Sequence, residues 1–398
     1  MKKFLAFLLV AVMVLSFAAC TPAGDDFKIG FICLHDEQST YDLNFINAAK
    51  EAQEALGLTD DQVIIKTNIP EGDECYVAAK DLVDQGCKIV FANSFGHEEF
   101  LVKAAREFPE VEFCHATGTL AHTEGLANYH NAFASIYEGR YLAGVAAGLK
   151  LNELKAAGKL KGDVAKMGYV GAYTYAEVIS GYTSFYLGAK SVCPEVIMDV
   201  KFTGSWFDPV EEKNAAQALI AAGADLISQH ADSMGAPSTC EEAGIPNVSY
   251  NGSTVASCPN TFIVSSRINW APYYEYIVNC VKEGKAIAAD WCGGLEEGSV
   301  VLTEINDKAA AAGTKEKIDA VTAEIKAGTL KIFDTAKFTI NNGQTVAADH
   351  KADVDTDEAY TPDTVVIVNG IFEESVKRSA PYFDLRIDGI TLLNEIYD

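Results

Sequence analysis

The sequence predicts an α/β protein made of two doubly wound parallel-sheet lobes joined by a hinge. Three observations carry that expectation. Short apolar runs alternate with segments of helical period through residues 27–130, the pattern of right-handed βαβ crossovers in a sheet covered on both faces. The pattern then restarts: Lys166-Met167-Gly168-Tyr169 echoes Lys28-Ile29-Gly30-Phe31, and AAGADLIS (221–228) echoes VDQGCKIV (83–90). Finally, polar and aromatic residues collect just past the apolar runs of both halves, where ligands of open parallel sheets lie.

The elements follow in chain order. Lys2 and Lys3 precede an apolar run from Phe4 to Val14, and Ala18-Ala19 stand before Cys20. That layout reads as a secretory signal, because the run is too short for a membrane span. Small residues directly before a cysteine resemble a bacterial lipoprotein signal, which implies lipidation of Cys20 and anchorage on the extracytoplasmic face of the cell membrane. After a polar tether at 21–26, strand-like runs are expected at 27–34, 63–69, 88–93 and 111–117. Helices at 44–56, 75–85 and 98–108 fall between them, stopped by Gly57, Gly86 and Pro109. In the second half, strands are expected at 165–172, 196–205, 225–230, 247–250 and 262–266, with helices at 210–222 and 272–283. A helix-prone acidic stretch (306–327) and a hairpin turning at Asn342-Gly343 come next. The first lobe is expected to hold 27–130 plus about 251–284, and the second 131–250 plus about 285–348. Residues 349–398 form a tail without an assigned role.

Composition removes several classes of function. Acidic residues outnumber basic ones 56 to 31, for a net charge of −25 over 398 residues. No basic stripe is left for phosphate backbones or anionic lipid, so nucleic acid is not an expected partner. Setting Cys20 aside, nine cysteines remain, without a CxxC pair and several inside apolar runs. They read as buried thiols rather than a disulfide framework. His35, His97 and His230 lack metal-ligand spacing, and HEEF (97–100) is not HExxH, so no metal site is expected. There is no GxSxG, GxxxxGK[ST] or GxGxxG after a strand; accordingly no catalytic residue and no cofactor are expected.

The strand ends carry the candidate site. The first half offers Tyr41, Asp42, Asn44 and Phe45 after its first strand, and Asn93 and Phe95 after its third; the second half offers Trp206, Asp232, Asn251, Arg267 and Trp270. Aromatic faces with amides and carboxylates at their edges suit a flat heteroaromatic ligand, since a base stacked on a ring gains about 1–3 kcal/mol. Some of these residues have structural alternatives. Asp42 or Asn44 can cap the following helix, and Asp208 before Pro209 reads as a helix cap with proline in the first turn.

Several segments resemble one family: STYDLNF (39–45), ANSFGHEEFLVKAAREFPEVEFCHATG (92–118), YEGRYLAGVAAGL (137–149), KMGYVGAY (166–173), GSWFDPVEEKNAAQALIAAGADLISQHADS (204–233), YNGS (250–253) and RINWAPYY (267–274). The chain is similar there to BMP (basic membrane protein) lipoproteins, the solute-binding components of ABC importers for nucleosides and related purines. The resemblance implies a type I periplasmic-binding-protein-like fold, closing as a trap over a base held between rings of both lobes. It places the first-lobe ring near Tyr41, Asp42, Asn44 and Phe45, and the second-lobe ring at Trp206. A carboxylate that grips ribose falls at Asn251, and a cationic position falls at Arg267. The expected protein is then a monomeric, lipid-anchored receptor delivering a purine nucleoside or nucleobase to an ABC permease. An exported nucleoside-processing enzyme, a surface sensor or adhesin for another protein, and the same trap holding riboflavin or a sugar are the alternatives.

Overall fold

The computed structural model describes residues 27–354 and 361–397; the signal segment and Cys20 lie outside them. The chain builds one lobe as β1 (Ile29–Ile32), α1 (Thr40–Leu56), β2 (Val63–Lys66), α2 (Asp73–Asp84), β3 (Ile89–Ala92), α3 (Glu98–Glu107), β4 (Glu112–Ala116), a short α4 (Ala121–Glu124) and β5 (Tyr129–Ala134). It crosses to the second lobe for α5 (Ile136–Ala156), β6 (Lys166–Gly171), α6 (Ala176–Val192), β7 (Ile197–Phe202), α7 (Pro209–Ala221), β8 (Leu226–His230), α8 (Gly235–Ala243), β9 (Asn247–Tyr250) and β10 (Phe262–Ile268). It returns for α9 (Ala271–Glu283) and β11 (Asp290–Gly293), then crosses a third time to β12 (Val300–Leu302) and α10 (Thr314–Lys326).

The first sheet runs β11-β5-β4-β3-β1-β2 and is parallel throughout. The second runs β12-β10-β9-β8-β6-β7 with one further edge strand, and β12 is antiparallel to β10. The central strands β1 (IGFI) and β3 (IVFA) are apolar along their whole length because both of their faces are covered by helices. Ser39 starts α1, its hydroxyl accepting the Asp42 N–H at 3.1 Å, and Gly57 ends it in the left-handed region (φ 64°). The cap expected of Asp42 or Asn44 is therefore supplied by Ser39. Asp208 does cap α7, accepting from the N–H groups of Val210 and Glu211, with Pro209 in the first turn.

Two expectations are corrected here. Residues 251–268 are expected in the first lobe, but β10 pairs with β9 and lies in the second sheet; α9 returns to the first lobe, and so does β11, which is expected in the second with 285–348 but pairs with β5. The reason is continuity: β10 extends a sheet whose neighbouring edge is free for it, and the crossing comes only at Asn269-Trp270. The hairpin at Asn342-Gly343 is reduced to a single bridge between Ile340 and Gln344. The strand Tyr129–Ala134 and the helix Ile136–Ala156 are not announced by the sequence pattern. Asn131 and His130 give the strand a polar look, yet both are buried and engaged, Asn131 with Glu98 and His130 with Glu112. The helix is buried around most of its circumference, so it shows little amphipathic period.

The nine described cysteines are free thiols, eight of them buried. The tail contains two short antiparallel pairs, β13 (Lys351–Ala352) with β14 (Thr364–Val365) and β15 (Ile367–Val368) with β16 (Ile371–Phe372). It ends by adding β17 (Ile390–Leu392) to the second sheet, parallel to β7.

Candidate ligand-binding cleft

The carboxyl ends of both sheets meet across a narrow hollow whose unfilled space, open solvent at its mouth included, is about 420 Å³. From the first lobe it is lined by Leu34 and His35 after β1, Tyr41 and Asp42 in α1, Ser94 and Phe95 after β3, and Thr117 after β4. From the second come Glu177 at the start of α6, Trp206 after β7, His230 and Asp232 at the end of β8, and Tyr250 at the end of β9. All but Tyr250, which ends β9 ahead of β10, sit where a strand hands over to the next helix, so the backbone pattern itself delivers them to one place.

Hydrogen bonds fix the first-lobe side. Asp42 Oδ1 accepts from the His35 N–H (3.1 Å) and from Asn93 Nδ2 (2.7 Å). Asn93 Oδ1 accepts from Leu34 N–H (3.1 Å), and the Tyr41 hydroxyl donates to the Asn93 carbonyl (2.6 Å). Asn93 thus stands behind the hollow and orients Tyr41 and Asp42. Thr117 has φ 70°, an unusual conformation for a β-branched residue, and its buried hydroxyl has no partner. Strain and an unmet polar group at one residue are typical of a position held for a ligand.

The second-lobe side is aromatic and acidic. Trp206 packs edge-on to Tyr173 at 5.3 Å. His230 pairs with Glu177 (Nε2 to Oε1, 3.2 Å); burial holds its pKa below the usual histidine value, with the Glu177 bond opposing. The neutral ring then donates from Nε2 to the carboxylate. Burial pushes the Asp232 carboxyl well above its usual range, aided by Asp42, Glu212 and Glu177. Burial also lifts the nearby Glu212 to about 7, although Ser233 bonds to it. Beneath Tyr250 lies Arg140, fully buried, donating to Tyr169 Oη (3.0 Å), Ser228 Oγ (2.8 Å), Ser266 Oγ (3.3 Å) and the Ser249 carbonyl (3.3 Å). Its guanidinium is 5.2 Å from the Tyr250 ring centroid, a cation–π support for that wall.

Contacts between the lobes hold them together. The Thr40 N–H donates to the Asp232 carbonyl (2.9 Å), and Asn44 Nδ2 donates to Asn251 Oδ1 (3.0 Å). Phe95 faces Tyr175 at 5.6 Å and His35 faces Phe207 at 5.3 Å. Asn251 adopts φ 64°, a conformation asparagine tolerates better than most residues.

Of the residues singled out from sequence, Tyr41, Asp42, Phe95, Trp206 and Asp232 line the hollow. Asn93 supports it from behind, and Asn44 and Asn251 join the lobes beside it. Three lie elsewhere. Phe45 and Trp270 stack on each other in the first-lobe core at 4.7 Å and are each 1% exposed, since apolar rings pack inward when the opposite helix offers a partner. Arg267 sits opposite Val301 along the β10–β12 pair and does not line the hollow. Glu177 and Tyr250 line it without being singled out by the sequence: Glu177 follows the strand end by several positions, and Tyr250 looks like an ordinary strand residue. His230 is read from the sequence as one of the polar strand-end residues beside Asp232, without metal-ligand spacing. Among the described residues no cluster of metal-binding side chains occurs.

Two hinged α/β lobes closing strand-end to strand-end over a lined hollow define a solute-binding protein. The chain belongs to the Bmp family of PnrA-like ABC transporter substrate-binding proteins, whose family model matches residues 32–334. A purine-binding protein of Brucella abortus is 32% identical over 337 residues, covering 84% of this chain and 91% of the relative. A nucleoside-binding ABC transporter protein of Lactococcus lactis is 29% identical over 152 residues, 38% and 39% of the two chains. An ABC transporter solute-binding protein from Conexibacter woesei shares the fold at 20% identity, with a TM-score of 0.62 over 77% of this chain and 98% of its own. The family is one of binding proteins, not enzymes, and the nucleoside-processing alternative falls with that.

Proposed function

We propose that this protein captures a purine nucleoside or nucleobase outside the cytoplasm and hands it to an ABC permease, tethered to the membrane through a lipid on Cys20. The observation that carries this reading is a hollow walled by rings from both lobes, Tyr41 and Phe95 against Trp206 and Tyr250, with the carboxylates Asp42, Glu177 and Asp232 between them. Rings supply stacking to any planar base. Asp42 and Glu177 offer acceptor oxygens, and Asp232, whose burial favours the protonated form, can donate as well as accept, so the site suits a ligand rich in N–H and O–H groups that also presents an acceptor. The relatives named for purine and nucleoside binding favour the same class. Titration calorimetry with purines, pyrimidines, their nucleosides, riboflavin and hexoses tests the proposal. Micromolar or tighter binding of a purine compound is expected; absence of purine binding at millimolar concentration, or tighter binding of a hexose, would overturn it.

A further inference from the structure

The tail lies beyond residues 32–334, yet it reaches both lobes. On the second lobe it is part of the fold. β17 extends the sheet beside β7, where the Met198 N–H donates to the Gly389 carbonyl (3.0 Å) and the Leu393 N–H to the Val200 carbonyl (2.9 Å). The Asn394 side chain bonds the backbone N–H and carbonyl of Phe202 (2.8 and 3.0 Å). Ile396 donates to the Thr174 hydroxyl and accepts from the Thr174 N–H (2.8 Å each). Ser180 Oγ of α6 donates to the buried Glu374 (2.5 Å). Phe383 stacks on Phe333 at 4.4 Å, and Phe333 packs on Tyr137 in the first turn of α5 at 5.1 Å. The tail is thereby braced where the chain first crosses between the lobes.

The grip on the first lobe is of another kind. The Ser379 N–H donates to Asp290 Oδ2 of β11 at 2.8 Å. Burial draws the Arg378 pKa down, while the carboxylates of Asp353 in the tail and of Asp290 and Glu98 in the first lobe oppose that. Beside this point the two surfaces do not pack. Arg378, Ala380 and Pro381 face Glu99, Thr119 and Leu120 across a space of about 1310 Å³ that includes open solvent. Asp290 Oδ1 and the Ser379 hydroxyl are buried without partners. Unmet buried polar groups cost stability that contact with water restores, so this joint gains on parting, whereas the seam along β7 would lose a set of backbone bonds. As the lobes rotate apart, the tail stays with the second and separates at Ser379–Asp290.

We propose that the tail is a strap, built into the second lobe and latched on the first at Asp290, that holds the lobes together and must unlatch before the cleft opens. Such a latch acts on the motion of the lobes whichever solute they hold. In the ligand-free protein it keeps the cleft shut for more of the time.

The test is amide hydrogen exchange on the ligand-free full chain, followed by mass spectrometry of overlapping peptides. The Thr40 N–H bonds across the lobes to the Asp232 carbonyl (2.9 Å), so it exchanges when they part. Ser379→Pro removes the latch donor and leaves Asp290 with its His122 bond (2.7 Å), whereas Asp290→Ala removes the acceptor. Each variant should speed exchange at Thr40 tenfold or more and leave the amides of β3 and β6 within twofold of the unaltered protein. If Asp290→Ala does not fold, Ser379→Pro decides alone. Thr40 exchange within twofold of the unaltered protein in Ser379→Pro would overturn the latch. Acceleration shared by Thr40, β3 and β6 would do so too, since it marks a general loosening of the fold rather than a parting of the lobes.

Discussion

Asp232 and Asp42 approach from opposite lobes, and the closed cleft buries both beside Glu177. Burial raises the Asp232 pKa in the folded protein, so the folded state holds this proton more tightly than the unfolded chain does. Its contribution to stability therefore falls as pH climbs from the ordinary carboxylate range toward the raised value. Asp232→Asn should accordingly raise the Tm of the ligand-free protein at pH 8 and leave it nearly unchanged at pH 4, while weakening ligand binding at least tenfold. Melts at both pH values with parallel calorimetry check this, and a lower Tm at pH 8 would contradict it. Trp206 is only half-buried, and its ring is available to a ligand. Trp206→Ala should cost about 1–3 kcal/mol of binding, roughly a 5- to 150-fold loss, with little change in Tm.

At the scale of elements, the second lobe depends on α5 and α6 lying backbone against backbone. A Cβ at Gly144 would strike the Phe185 carbonyl, and one at Gly188 would strike the Tyr141 carbonyl. These glycines permit a close approach that no other residue allows. Gly188→Ala must push the helices apart, at a cost of about 3 kcal/mol or more, read as a lower urea midpoint. Because α5 also carries Arg140 beneath Tyr250, ligand affinity should drop in the same variant even where it remains folded. Unchanged stability would mean that the two helices have room to adjust.

Across the whole molecule, three chain crossings form the hinge, and the tail adds a fourth tie through Glu374 on one lobe and Ser379 on the other. Glu212 and Glu374 are both pushed up to about 7, in each case chiefly by burial. Folding therefore takes up protons between about pH 4.5 and 7, and stability declines as pH rises through that window. Each group can contribute up to about 3 kcal/mol, because every tenfold gain in proton affinity on folding is worth roughly 1.4 kcal/mol. Thermal melts of the ligand-free protein should show Tm falling from pH 5 to pH 8. A Glu212→Gln, Glu374→Gln double variant should flatten that slope, and a slope equal to that of the unaltered chain would refute the assignment.

Local pattern was enough to specify the alternation of strand and helix, the repeat of the pattern and the rule that strand ends hold the site. Those follow from burial and turn chemistry acting over a few residues, so the sequence could already place Asp42, Trp206 and Asp232 at strand ends, where they line the hollow. Features that depend on which surfaces meet escaped it. Phe45 and Trp270 look like cleft aromatics until each is seen to stack on the other. A helix buried on nearly all sides, as at Ile136–Ala156, loses the periodicity that announces a helix. The lobe to which Phe262–Ile268 belongs was settled by the sheet edge it could pair with. The tail's place at the cleft was settled by anchors far away in sequence, such as Ser180 with Glu374, 194 residues apart. Hydrogen-bond pairing and packing between distant segments leave no trace in local composition, and that is why only the tertiary structure could decide them.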